Sequence, residues 1–550
     1  MSTFLIVPLR CCIWTVLFFF WLTRDLRGED IFHSPRLLRL EISIDDEGMQ
    51  KLRDFQWNPR SGDPKSRPKV RATLVEGTNQ FTNVTVHLKG SYGSYRPVDN
   101  SPALTLSFDT SGSRPLFHGL NKISLNNSVQ DPSCLNEKLA RELFETAGIP
   151  CASADHAVVI LNGRKLGVYV LIEGYSKRFL QRHFGREDGI VMDSGFVRDV
   201  DSPIEANVGD EQEGRRVLER AAQAAREPDP AKRLQALERV VDLDRFLSLI
   251  ALEVMLCHWD GYAMNRNNYR VYIDPVSSKV TFLPHGVDQI LGIDRANLDT
   301  PLLPRMKGLI ARSVLSVPEG RARYLHRLGT LFTNLFQAEL LVRRVHEMDG
   351  KIANAFSFPA ARWVLRSPNS QGVVSSSGDH GLDVEALCQR ITKRASFLGA
   401  QLLQPGESRD LPPSPTFAAD GSVHLSGWRY KPARAATGGR IAKDGQELLR
   451  VVVAGTPASW RTRLTLPAGE YRFTGRIRAT EESAMICLRI SGQTRASSYT
   501  SASWMPVAYN FRIEESLFPE DVELVCEALG IGEAWFDPAS LMLHRLTPTR

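Results

Sequence analysis

The chain has 550 residues, 43% hydrophobic and 24% charged, an ordinary globular composition but too long for one core, so two or three domains are expected. Its formal net charge of +6 is spread along the chain, with no RNP, finger or basic-helix pattern, which argues against nucleic acid as a partner. The eight cysteines show no C-x-x-C and no metal spacing, which argues against a zinc or redox module.

The first 23 residues carry one charge, Arg10, and residues 11–22 form a 12-residue apolar run. That length suits a signal-peptide h-region better than a complete span. The polar stretch "TRDLRGED" follows without an A-x-A cleavage site. Residues 1–28 are therefore expected to be a signal peptide or an N-terminal membrane anchor, and either exports the rest to the cell envelope or beyond. Cys11 and Cys12 fall in this segment. The other six cysteines read as buried free thiols, with Cys134–Cys151 a conceivable pair.

Residues 35–125 read mostly as half-buried strands, among them "LLRLEISI", "KVRATLV", "NVTVHLKG", "ALTLSF" and "NKISLNN". A helix is then predicted with Asp131 as its cap, Pro132 at its first position, and Leu135, Leu139, Leu143 and Ala147 as its apolar stripe. Two apolar strands flank an Asn-Gly turn in "AVVILNGRKLGVYVLIE", a strong hairpin signal. Residues 200–235 resemble an exposed helical insertion. Residues 242–257, "DLDRFLSLIALEVMLC", are apolar nearly all round and predict a buried helix. A loop, "HWDGYAMNRN", comes next, then a hairpin, "NYRVYIDPVSSKVTFLP", and then "HGVDQILG". Helical periodicity dominates 300–403. A Pro/Ser-rich linker spans 404–416, and residues 417–550 are all-β, expected to form a sandwich or jelly roll.

The loop places an Asn five residues after Asp260, the spacing of the kinase catalytic loop H-R-D-x-x-x-x-N. Phosphoryl transfer needs a cation on the phosphates, an acid near the acceptor hydroxyl, and hard oxygen ligands for Mg²⁺. A strand lysine, a helix glutamate, a hinge, a buried helix, this loop, a hairpin and an Asp occur here in the serial order of a protein-kinase fold.

Five stretches in order resemble the CotH family, the secreted atypical protein kinases related to spore coat protein H. They are "HLKGSYGS", "FHGLNKISLNNSVQDPSCLNEKLARELFETAGIP", "LNGRKLGVYVLIEGYSKRFLQRHFG", "DGYAMNRNNYRVYIDPVSSKVTFLPHGVDQILG" and "QRITKRASFL". The resemblance covers roughly residues 37–400. It implies an α+β fold with an atypical kinase-like two-lobe domain over 30–403, ahead of the linker and the β-sandwich. It also implies transfer of the ATP γ-phosphate to Ser/Thr hydroxyls of envelope or extracellular proteins, with Mg²⁺ or Mn²⁺. By motif match Asp260 would be the catalytic base. Asn265 and Asp288 would hold metal, with Asn268 competing for that role. Lys122 or Lys89 would contact phosphates, and Gly90 and Gly93 would let backbone amides approach them. Glu137 would pair with Lys122, and Glu173 would lie at the hinge near adenine.

Two departures stand out. His285 and Gly286 occupy positions where the family typically has Trp and the first Asp of P-W-D-x-D, and "NSPALTLSF" lacks a Lys-Lys pair frequent in relatives. An active kinase and a degenerate, surface-structural scaffold both remain open on the sequence. In the sandwich, resembling carbohydrate-binding jelly rolls, Trp428, Trp460, Trp504 and Trp535 are candidates for stacking on sugar, with core packing as the competing reading.

Overall fold

The structure is a computed structural model. It describes residues 30–58, 67–108, 116–293, 296–357, 379–403, 412–433, 435–443, 445–480, 483–493, 495, 497–513 and 520–546. The N-terminal apolar segment lies outside these residues, as does linker stretch 404–411. No helix among the described residues is long and apolar enough to cross a membrane. The chain divides into two compact units, 1–405 and 406–550.

The first unit opens with β1 (Leu38–Ile44), α1 (Asp46–Asp54), β2 (Val70–Glu76), β3 (Asn79–Lys89), β4 (Ala103–Ser107) and β5 (Lys122–Asn126). Then come α2 (Asn136–Thr146), β6 (Ala154–Leu161) and β7 (Arg164–Glu173). The alternation of "LRLEISI" sends Leu40, Ile42 and Ile44 inward, and Val84, Val86 and Leu88 of β3 do the same. The strands close into a barrel in the order β1-β2-β3-β4-β5-β7-β6. Closure is made by the parallel pairing of β1 with β6, Leu38 opposite Ala157. The β6–β7 hairpin turns on Asn162 and Gly163, both at positive φ, as a two-residue turn between twisted strands requires.

Helix α2 starts later than its sequence signals indicate. Asp131 does not cap it; its carboxylate accepts from Ser133 and from the backbone N–H of Asn136, fixing a tight turn that delivers the helix. Leu135 takes the cap position without a side-chain bond.

The unit continues with α3 (Lys177–Phe184), β8 (Ile190–Asp193), β9 (Glu205–Val208), α4 (Glu211–Ala225) and α5 (Pro230–Val240). These last three correct the expectation of an exposed insertion. Val217, Leu218, Ala221 and Ala225 of α4 and Leu237 of α5 are buried, and β9 pairs with β8, Val208 opposite Val191. Helix α6 (Leu243–Met255) is buried on every side, eleven of its thirteen residues, as its all-round apolar sequence predicts. It leads through α7 (Tyr262–Asn265) into β10 (Tyr269–Ile273) and β11 (Val280–Pro284). Helices α8 (Leu309–Ser316), α9 (Pro318–Leu335), α10 (Ala338–Ile352) and α11 (His380–Leu403) complete the unit. Arg394 of α11 is fully buried, and its guanidinium donates to the carbonyls of Val254, Met255, Leu298 and Thr300. It thereby satisfies the open carbonyls at the C-terminal end of α6 and favours the negative pole of that helix.

The second unit is all-β: β12 (Ser422–His424), β13 (Arg429–Lys431), β14 (Thr437–Lys443), β15 (Gln446–Ala454), β16 (Ala458–Leu466), β17 (Gly469–Ala479), β18 (Ala484–Ile490), β19 (Met505–Ile513) and β20 (Glu520–Leu546). The first half of β20 pairs with β16 and β18, and the second half with β15, β17 and β12. The core lies between the two faces it joins, around Phe473, Ile477, Leu524 and Phe536. All six described cysteines, Cys134 and Cys151 included, are free and buried.

Candidate functional site

The loop after α6 is built around two acids. Glu253, the one buried acid of the apolar helix, is 1% exposed and accepts the backbone N–H groups of Tyr262 at 3.0 Å and Ala263 at 2.8 Å. Burial pushes its carboxyl up to about 7, and those two N–H groups restrain the rise. Gly261 is obligatory beside it, since a Cβ there would lie 2.6 Å from the Glu253 carboxylate. On the loop so held, Asp260 accepts from three side-chain amides. Asn265 donates to Oδ1 at 2.6 Å, and Asn267 and Asn268 donate to Oδ2 at 2.9 and 2.8 Å. Three donors fix the carboxylate's orientation.

Asn265 is thus brought to Asp260, but its oxygen does not face an open site: it accepts from Lys307 Nζ at 3.1 Å. In this arrangement the side chain spends its amide on Asp260 and its oxygen on an ammonium. Asn268 likewise spends its amide on Asp260, and its backbone oxygen accepts from His285 N at 3.0 Å.

The segment after β11 meets this loop. His258 Nε2 lies 3.1 Å from the Gly286 carbonyl, and burial pushes its imidazole down to about 4, so the neutral ring donates there. Gly286 sits at φ +55, and a Cβ on it would lie 2.6 Å from Asn268 Oδ1. An acid at this position would need both an unfavourable backbone and a displaced Asn268. His285 faces Arg270, whose guanidinium reaches Nδ1 at 2.7 Å. Arg270 also binds Asp193 at 2.6 Å and lies over the Tyr175 ring at 4.6 Å.

Two residues on, Asp288 is half-buried, and its backbone carbonyl accepts from Asn136 Nδ2 at 2.9 Å. Burial, with Glu137 and Asp131 nearby, pushes its carboxyl up to about 7. Asn136 Oδ1 is buried without a hydrogen-bond partner. A carboxylate and an orphaned amide oxygen on residues joined by that bond are hard oxygen donors of the kind Mg²⁺ or Mn²⁺ takes. Among the described residues no three His, Cys, Asp or Glu side chains form a metal cage. A divalent ion would therefore take Asp288 and Asn136 from the chain and complete its shell with phosphate and water oxygens.

The barrel contributes the cations. Lys89, at the end of β3, lies in the field of Glu137 and Asp288; burial pushes its ammonium down to about 8, and those acids counter it. Lys122, at the start of β5, lies in the field of Arg270 and Asp193; desolvation and then Arg270 push its ammonium down although its side chain reaches solvent. The expected Glu137–Lys122 pair does not form. Glu137 is 1% exposed and pairs with Arg141 at 2.6 Å, one turn along its own helix, while its field reaches Lys89.

Gly90 and Gly93 have positive φ, but the space they leave is used by the chain itself. A Cβ on Gly90 would meet the Tyr95 backbone at 2.9 Å, and one on Gly93 the Gln130 side chain at 2.6 Å. The amides of Ser91, Ser94 and Tyr95 are bonded within the turn, so they are not open to phosphate. Glu173 does end the last barrel strand before α3. Its carboxylate, however, is sealed by Arg182 at 2.5 Å and Ser153 N at 3.1 Å, which turns it away from any base.

Sequence reasoning missed Asn136, Asn267, Glu253 and Lys307. Glu253 carried a signal, a single acid inside "LIALEVML". Asn136, Asn267 and Lys307 carried none.

In the second unit Trp428 and Trp460 are each 4% exposed, and their indole N–H groups donate to the carbonyls of Leu425 and Arg450. They are core residues, which corrects their assignment to sugar stacking. Trp504 and Trp535 are half-buried, and Trp535 has Lys443 and Arg450 each 5.8 Å from its ring.

Residues 94–398 match the family described as CotH kinase protein, and the chain belongs to that family. It is 24% identical over 303 residues to inner spore coat protein H of Bacillus subtilis, covering 51% of this chain and 78% of that one. It is also 24% identical over 304 residues to invasin CotH2 of Rhizopus delemar, covering 51% of this chain and 48%, about half, of the invasin. Similar solved structures include the module TmCBM61 in complex with beta-1,4-galactotriose, at 18% identity and a TM-score of 0.18 over 22% of this chain and 91% of that one. The CBM22-1–GH10 modules of Clostridium thermocellum xylanase 10B with xylohexaose match at 9% identity and a TM-score of 0.18, over 22% and 26% of the two chains. Likenesses at this TM-score carry no argument about ligand or fold.

Proposed function

We propose that this chain is an exported protein kinase that transfers the γ-phosphate of ATP to Ser/Thr hydroxyls of envelope or extracellular proteins. The observation that carries the reading is Asp260, clamped by three amides on a loop whose neighbouring segment carries Asp288, to whose backbone carbonyl Asn136 of α2 donates. The barrel would act as the upper lobe and the α6–β11 region with its helices as the lower lobe. The relatives' names, a spore coat protein and an invasin, support an envelope or extracellular setting.

In the proposed step Asp260 orients the acceptor hydroxyl and receives its proton as the acceptor oxygen bonds to the γ-phosphorus. The bond from that phosphorus to the β,γ-bridging oxygen breaks, and ADP leaves with the electron pair. Lys89 and Lys122 neutralise phosphate charge from the barrel side. A bound Mg²⁺ or Mn²⁺ would add charge neutralisation across the phosphates. Asp288 and Asn136 would hold it, and binding it would return the Asp288 carboxyl to its ionised form.

The test is incubation of the purified full chain with radiolabelled ATP and Mn²⁺, with and without a generic Ser/Thr protein acceptor. Incorporation of label is expected. Absence of label together with no ATP-induced rise in Tm would sink the reading. A second reading, a degenerate scaffold that binds partners at the surface, draws on Gly286 in the place of the family's acid; ATP binding without transfer would favour it. For the second unit, a glycan would meet Trp504 and Trp535, the two candidate indoles that reach solvent.

A further inference from the structure

Tyr92 and Phe196 are 53% and 56% exposed, and they are the only exposed aromatic side chains among the described residues. They touch each other, ring centroids 5.2 Å apart, although one comes from the turn after β3 and the other from the segment after β8. Trp57 lies edge-on to Tyr92 at 4.9 Å and tilted against Tyr95 at 6.3 Å, so the rings form one continuous strip. Leaving such a strip in water costs free energy that a partner recovers. Both halves of it are held. In the turn, the Ser91 carbonyl accepts the amides of Ser94 and Tyr95, Ser94 Oγ accepts Ser91 N at 3.0 Å, and Asn127 Nδ2 donates to the Ser94 carbonyl at 3.1 Å. The Phe196 segment is bolted to the Asp260 loop. Val197 N donates to Asn267 Oδ1 at 3.1 Å, and the amide of the same Asn267 donates to Asp260 Oδ2 at 2.9 Å. The Tyr269 hydroxyl donates to the Arg198 carbonyl at 3.0 Å, and the Tyr262 hydroxyl to Asp199 at 3.1 Å. Val197 itself sits at φ +51, a left-handed conformation that a β-branched residue adopts only when its surroundings impose it. Backbone strain is thus stored one residue from an exposed ring and one side-chain amide from Asp260.

We propose that Phe196, Tyr92 and Trp57 form a docking shelf for the acceptor polypeptide, taking a bulky apolar side chain that lies about two or three residues from the Ser or Thr to be phosphorylated. The inference rests on the phosphoryl-transfer reading and names the class of its acceptor. Continuity with Asp260 selects this occupant. A chain that sets a hydroxyl on the Asp260 carboxylate advances about 3.3 Å per extended residue, so a side chain a few places along reaches the strip. The nucleotide base is the poorer occupant, because ATP with its γ-phosphorus at Asp260 holds its base at the far end of the triphosphate. The ring faces offer apolar area, so they select by size and shape rather than by charge. Because both halves are already ordered, docking costs little conformational entropy.

The probes are short peptides carrying one Ser and one Phe, with the Phe placed at each position from three before the Ser to three after, each matched by a peptide with Ala in place of Phe. On the full chain with ATP and Mn²⁺, kcat and KM are read from phosphate transfer, and Kd is read by fluorescence anisotropy with the same peptides carrying Ala in place of Ser. The best-placed Phe should lower KM about 10-fold below its Ala match, with kcat little changed. Phe196→Ala should raise KM for that peptide to the level of its Ala match, leave the Ala-matched peptide and the Kd for ATP within about 2-fold, and keep the natural Tm because the ring is exposed. Tyr92→Ala should act in the same direction, and Phe196→Trp should retain the preference. Equal KM for Phe and Ala peptides at every position, or a Phe196→Ala loss that is the same for both, would overturn the shelf while leaving the kinase reading standing. Weaker ATP binding by Phe196→Ala with unchanged peptide selection would assign the ring to the base and overturn the shelf as well. If the natural chain neither binds ATP nor labels any acceptor, the kinase reading falls and the anisotropy measurement decides the shelf alone: a Phe-dependent Kd that Phe196→Ala abolishes upholds it as a peptide-docking surface, and absence of that dependence overturns it.

Discussion

The two loops that meet at the candidate site, through His258 and Gly286, treat their carboxylates in opposite ways. On 258–268, Asp260 accepts three side-chain amides, Glu253 accepts two backbone N–H groups, and Arg394 ties down the end of the preceding helix. On 285–288, the acid is left with other acids for neighbours and a carboxyl raised to about 7, and Asn136 engages only its backbone carbonyl. The first carboxylate has its side-chain donors in place; the second is the one that, in the proposed reading, a cation would complete. The lesson is that the two roles proposed for them, holding an acceptor hydroxyl and holding phosphate charge, would rest on separate structural supports, so each could be lost without the other.

The sharpest way to break that contrast is Asp260→Asn. With four amides facing one another and no base, labelling should fall by about 100-fold or more, while metal-dependent ATP binding stays within a few fold. Loss of ATP binding as well would show that the two loops are not independent. Arg394→Ala should have the largest effect on stability, about 3 kcal/mol or more, because four carbonyls lose their donor inside the protein. Thermal melting checks it, and an unchanged Tm would remove Arg394 as the anchor of the α6 end. Gly286→Asp, which restores the family's acid on paper, should cost about 1–3 kcal/mol through the left-handed backbone and the collision with Asn268. Its labelling should not exceed that of the natural chain; a rise would mean that the segment rearranges freely.

The smallest expected effect concerns pH. A carboxyl raised on folding favours the fold while it is protonated, so the stability from Asp288 is complete below about pH 4 and is lost as pH climbs through about 7. The metal-free Tm should fall across that window. Asp288→Asn should flatten the fall by a few degrees, and saturating Mg²⁺ should oppose it in the natural chain. Glu253, also raised to about 7, works in the same direction and leaves a residual slope in the variant. A Tm profile identical in the variant and the natural chain would dismiss Asp288 as the group that titrates.

The buried helix and the Asn162-Gly163 hairpin were legible because each is written in local periodicity or spacing, whereas the spacing of Asp260 and Asn265 did not reveal that the two side chains bond each other. Barrel closure was not, since it joins Leu38 to Ala157, about 120 positions apart, through a parallel pairing with no local signal. The partner of Glu137 was misread for a related reason. Kinase-like order points to a strand lysine, but Arg141 lies four residues away on the same helix face and is already there. Trp428 and Trp460 show the same limit in the β-unit, where the count of aromatics does not say which face of the sheet each one takes. Lys307 lies about 40 residues beyond the loop it serves, and only the folded chain brings it back.

Strand β20 has a further consequence, which concerns timing. Five strands, β12, β15, β16, β17 and β18, all pair with it, and it is the last strand of its unit. The β13–β16, β14–β15 and β17–β19 pairs can form before it, but each of the five strands keeps an edge open, with the apolar faces of Val451, Leu464 and Phe473 exposed, until Glu520–Leu546 leaves the ribosome. A nascent chain stalled short of β20 is therefore expected to be prone to aggregation.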